Sequence, residues 1–76
     1  MSARVDKYFM KKEITEFSKR IKEVRLKKKL SQGDVAKILG VHRSYISGLE
    51  RGARNPSLIT AQKVAKALGV SIKEIL

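Results

Sequence analysis

The chain contains no cysteine and a single histidine. Without cysteine there are no disulfides and no thiolate metal sites, and one histidine does not build a metal site of the usual kind. No apolar run approaches the roughly 18 residues of a membrane span, and no signal-peptide core follows the charged N-terminus. Paired carboxylates and Ser/His/Asp or Cys/His constellations are also missing, so neither an enzyme nor a cofactor is expected. There is no strand-like alternation, repeat or low-complexity segment. Acidic residues are scarce. Seven Asp and Glu stand against 18 Lys and Arg, a net charge of +11 on 76 residues. That excess favours a polyanionic partner, either nucleic acid or an anionic membrane surface. The length allows one domain, close to the lower limit at which a helical core supports itself.

What is present reads as helices separated by short punctuation. Residues 1–13 have mixed character and read as a basic N-terminal arm, with Tyr8, Phe9 and Met10 as a small apolar cluster. The domain proper is expected over 14–76. Ile14, Phe17, Ile21 and Val24 follow the 3–4 spacing of one apolar helix face, and this first helix should end near Lys28. Ser31 and Asp34 form a variant capping box for a second helix, which Gly40 stops. Val41 and His42 make the turn into a third helix over about 43–51, ended by Gly52. Pro56 biases Asn55 away from the helical region. Ser57 caps a fourth helix with Leu58, Ala61, Val64, Ala65 and Leu68 as its apolar stripe, and Gly69 ends it. Ser71 and Glu74 make a capping box for a short last helix over 72–75. The fold class is therefore all-α, a compact five-helix bundle.

The run from Gln32 to Arg51 has the residue types of two helices crossing at a tight turn. Ala36 is small where two backbones approach, Gly40 accepts an unusual backbone angle, and Val35, Leu39, Val41, Ile46 and Leu49 supply the shared apolar contact. These are the requirements of a helix-turn-helix made by helices 2 and 3. At 100° per residue, Ile46 and Leu49 face the core while Ser44, Ser47, Gly48 and Arg51 face outward. Arg43 and Tyr45 occupy the flanks. Such a slim polar face suits a major groove about 12 Å wide. Arg43 is the best candidate for guanine O6 and N7, with Ser44, Tyr45 and Ser47 as further base-contacting residues. Arg51, Arg54 and Asn55 should grip phosphates beyond the helix. Gly48, costing about 1 kcal/mol against alanine in a helix interior, is expected to allow close approach of DNA or of a facing subunit.

The stretch SQGDVAKILGVHRSYISGLERG, with the following NPSL and AxxVAxALGVS, resembles the Cro and phage-repressor (Xre-like) class of helix-turn-helix regulators over roughly residues 15–76. The resemblance implies a lambda-repressor-like DNA-binding domain. It implies a phosphate contact from Gln32, and a capping or phosphate role for His42, which stands where the class usually has Ser or Thr. It implies a structural ion pair between Arg25 and Glu50. It implies a homodimer on palindromic operators in double-stranded DNA. The dimer surface expected here is Val70, Ile72, Ile75 and Leu76, through helices 4 and 5. No membrane partner and no small-molecule effector are evident, and a cytoplasmic, nucleoid-associated protein of a prokaryote or phage is expected. The stretch RSYISGLERGARNPSL is most similar to controller proteins of restriction–modification systems. Phage repressors and antitoxins share the size, and a protein-bridging helix-turn-helix scaffold is the alternative.

Overall fold

The computed structural model describes residues 11–76. Four α-helices follow one another: α1 (Lys11–Lys27), α2 (Gln32–Leu39), α3 (Arg43–Glu50) and α4 (Leu58–Leu68). A 3₁₀ turn, Ile72–Glu74, closes the chain. The expected fifth helix is thus a single tight turn, too short for an α-helical ladder. Of the residues read as an arm, 1–10, including Tyr8, Phe9 and Met10, lie outside the described residues. Lys11, Lys12 and Glu13 form the first turn of α1, which starts three residues ahead of Ile14.

Local chemistry accounts for the boundaries. Ser31 Oγ accepts from the Asp34 N–H at 2.9 Å while Asp34 Oδ2 accepts from the Ser31 N–H at 2.8 Å. This reciprocal box satisfies two of the free N–H groups that every helix start presents. These bonds hold the Asp34 carboxyl below its usual range. Gly40 adopts φ +73° and lets the Val41 N–H return to the Ala36 carbonyl at 2.9 Å. Ser57 caps α4 through the Thr60 N–H at 3.2 Å. α1 ends differently. Lys29, not a glycine, takes the left-handed position at φ +60°, and the Leu30 N–H reaches the Arg25 carbonyl at 3.0 Å.

The core is one cluster drawn from every element: Phe17 and Ile21 of α1, Val35 and Ala36 of α2, Ile46 and Leu49 of α3, Ala61, Val64, Ala65 and Leu68 of α4, and Ile75. α2 packs on α3 and α4, and α1 closes over α3 and α4. Three apolar expectations change. Ile75 is fully buried in its own subunit (0 % exposed), so it is a core residue and not part of a dimer surface. The 3₁₀ turn brings it back over α4, which supplies the apolar surface the isolated sequence lacked. Val41 is exposed at the turn, because Gly40 reverses the chain before its side chain can reach the α2–α3 contact. Leu58, at the very start of α4, lies ahead of the packed part of its stripe and is likewise exposed.

Candidate nucleic-acid interface

α3 presents Arg43 and Ser44 to solvent, with Tyr45 and Ser47 half-buried beside them, while Ile46 and Leu49 anchor its other side in the core. Ser47 Oγ accepts from Arg51 Nη1 at 2.6 Å. The serine hydroxyl therefore keeps its own proton for an acceptor outside the protein. His42 precedes the helix with extended backbone (φ −74°, ψ 147°) and makes no side-chain cap bond. Its expected capping role is absent, and the imidazole is left exposed at the helix start.

The frame behind α3 is a charged cross-brace. Arg25 donates through Nε and Nη2 to both oxygens of Glu50, at 2.6 and 3.0 Å, and through Nη1 to the Leu30 carbonyl at 2.8 Å. Gln32 Nε2 donates to Glu50 Oε1 at 3.1 Å. One group thus ties the end of α1, the loop after it, the start of α2 and the end of α3. Both charged side chains are nearly buried, where a two-pronged guanidinium–carboxylate pair is strong and directional. Burial alone would raise the Glu50 pKa. The hydrogen bonds from Arg25 and Gln32, with the charges of Arg25 and Lys22, outweigh it and hold the carboxyl below the usual range. The bond to Glu50 likewise raises Arg25 despite its desolvation. Gln32, expected on a phosphate, has one amide proton committed to Glu50. Its second proton and the backbone N–H groups at the α2 start are the donors it can still offer.

Gly48 is where sequence reasoning went astray. It is buried, and what covers it is neither DNA nor a second subunit but Arg54 of the same chain. A Cβ on Gly48 would lie 2.9 Å from Arg54 Cγ and 3.3 Å from its Nε. The arginine runs back across this gap and sets its guanidinium 5.4 Å from the centre of the Tyr45 ring. Tyr45, Gly48 and Arg54 are one unit: the ring attracts the cation, and the missing side chain gives it a path. A glycine in mid-helix followed six residues later by arginine was the only trace in the sequence. Asn55 is exposed beside this loop.

Among the described residues no cluster of His, Cys, Asp and Glu could hold a metal ion, and no helix is long and apolar enough to cross a membrane. The site is a convex helix face edged by Arg43, Arg51 and Arg54, on a scaffold locked from behind. Two capped helices joined at Gly40, with α3 braced by Arg25 and Glu50, define a helix-turn-helix domain, and residues 21–75 match the model of the Helix-turn-helix family, to which this chain belongs. The chain is 44 % identical over 61 residues to control protein C.BamHI of Bacillus amyloliquefaciens, covering 79 % of this chain and 75 % of that one. The crystal structure of the restriction–modification controller protein C.AhdI from Aeromonas hydrophila superposes with TM-score 0.79 at 40 % identity, covering 86 % of this chain and 98 % of that one. The controller protein C.Esp1396I, solved as a tetramer in complex with its natural 35 base-pair operator, superposes with TM-score 0.74 at 37 % identity, covering 83 % of this chain and 93 % of that one.

Proposed function

We propose that this chain is a sequence-specific transcriptional regulator that binds palindromic operators in double-stranded DNA as a homodimer, and that it serves as a controller of a restriction–modification system. The observation that carries the reading is the α3 face: narrow, arginine-edged and braced from behind by the Arg25–Glu50 pair. Its similarity to controller proteins, one of them crystallised on its operator, supports the particular role. α3 enters the major groove. Arg43 reads guanine, and Ser44, Tyr45 and Ser47 read neighbouring base edges. Gln32, His42, Arg51, Arg54 and Asn55 hold the backbone and set the register. The Arg25–Glu50 pair keeps α3 in position and touches no base.

The dimer surface proposed is the exposed apolar rim at the two ends of α4: Leu58 and Ile59 at one, and the half-buried Val70 and Ile72 with exposed Leu76 at the other. Recovery of bound duplexes from a random pool tests both halves of the proposal. A palindrome with half-sites about 34–36 Å apart is expected. A single asymmetric half-site would overturn the dimer, and no enrichment would overturn sequence recognition. The scaffold alternative predicts binding that hardly changes with salt, because only phosphate contacts release counterions.

A further inference from the structure

A second polar feature lies away from the reading face. Lys11, Thr15, Ser18, Lys19 and Lys22 recur at helical spacing along α1, beside the core stripe of Phe17 and Ile21. With Arg51 and Gly52 from the end of α3 they line a groove of about 390 Å³. Four cations surround it. The one acid among its lining residues, Glu50, is already committed to Arg25 and Gln32.

Ser18 sits in this lining and is only 5 % exposed, yet its hydroxyl finds no hydrogen-bond partner among the described residues. A serine inside a helix ordinarily returns its proton to the carbonyl four residues back. Buried polar groups without partners cost stability and are rare. Directly over this hydroxyl stands Gly52, in the left-handed region at φ +73°; a Cβ there would lie 3.6 Å from Ser18 Oγ and fill the space. An idle donor, an open cradle above it and four cations around it match the needs of one ligand chemistry, a tetrahedral oxyanion.

We propose that this groove is a phosphate-binding site, in which the Ser18 hydroxyl donates to a phosphate oxygen while Lys11, Lys19, Lys22 and Arg51 neutralise its charge. Arg51 joins the groove to the reading face through its bond to Ser47. The phosphate most directly in reach is therefore a backbone phosphate of bound DNA, beyond the bases read by α3. That source rests on the DNA-binding reading; the site itself does not. A free phosphate ion is the other source of the same chemistry.

Ser18→Ala separates the outcomes, because it removes the donor and relieves the unpaired group together. A phosphate site predicts that the variant melts at or above the wild-type temperature yet loses at least about fivefold in affinity for duplex DNA. Lys19→Gln should lower the slope of log K against log salt by about 0.9, one phosphate contact. In parallel, inorganic phosphate is titrated against the free 76-residue chain while the amide resonances of Ser18 and Gly52 are followed. Saturable shifts that vanish in Ser18→Ala, with unchanged duplex affinity, assign the site to free phosphate. Loss of duplex affinity assigns it to DNA. If the wild type binds no duplex, the DNA-binding reading fails and the phosphate titration alone decides. Unchanged duplex affinity together with no saturable shift overturns the proposal.

Discussion

Gly48 gives up helix propensity for room. Replacing it with alanine returns about 1 kcal/mol of intrinsic helix stability but puts a methyl group where Arg54 crosses the helix. Because Arg54 is exposed at its far end, the variant should fold, with a melting temperature equal to or above that of the wild type. Its affinity for DNA should fall as far as that of Arg54→Ala, and the double variant should be no worse than either single one. Additive losses in a filter-binding or fluorescence titration would show that the two residues act separately. Lys29 is the opposite case, a side chain held in a left-handed conformation that costs an L-residue roughly 1–2 kcal/mol. Lys29→Gly removes most of that strain, less the entropy glycine loses on folding. A gain of about 0.5–1 kcal/mol is expected, a rise of several degrees in thermal unfolding for a domain of this size.

At the scale of elements, the Arg25–Glu50–Gln32 brace decides how α3 sits. Glu50→Ala strands the Arg25 charge in a nearly buried position, and a cost of about 3 kcal/mol follows. Ser47→Ala changes a partly exposed hydroxyl and should stay within about 0.5 kcal/mol. Equal melting temperatures for the two would remove the brace from the scaffold. The pH dependence has a definite sign. The Glu50 pKa is lowered in the folded protein, so the stability it contributes is fully present above the ordinary carboxylate value. It is lost as pH falls through the lowered folded value. Stability measured from pH 6 downward should therefore decline below about pH 4.3, and less steeply in Glu50→Gln. Asp34 in the capping box titrates in the same direction, so some decline should persist in that variant.

For the whole molecule, stability and association fall to adjacent residues at the end of the chain. Ile75→Ala opens the core and should cost about 2–5 kcal/mol without a specific effect on subunit exchange. Leu76→Ser touches a side chain 46 % exposed and should leave unfolding unchanged at low concentration. It should weaken dimerisation in sedimentation equilibrium. An unchanged dimer with both Leu76→Ser and Ile59→Ser, the latter 64 % exposed, would move the interface elsewhere. Arg43→Ala, in a duplex selection, should relax preference at one base pair per half-site at a cost of about 1–3 kcal/mol.

Much of this architecture is written locally. Ser31, Gly40, Ser57 and Gly69 stop or start helices through bonds that span a few residues, so the sequence alone determined where α2 and α4 lie. The helix-turn-helix and its outward residues followed from spacing along α3, since a helix fixes which side chains share a face. The features that only the tertiary structure decided all depend on the chain returning on itself. Arg54 covers Gly48 because the loop after α3 turns back. Ile75 is buried because a 3₁₀ turn carries it over α4. The Ser18 hydroxyl is unpaired beneath Gly52 because α1 and the end of α3 meet there. Helical periodicity assigns a residue to a face, but what stands opposite that face is set by segments distant in sequence.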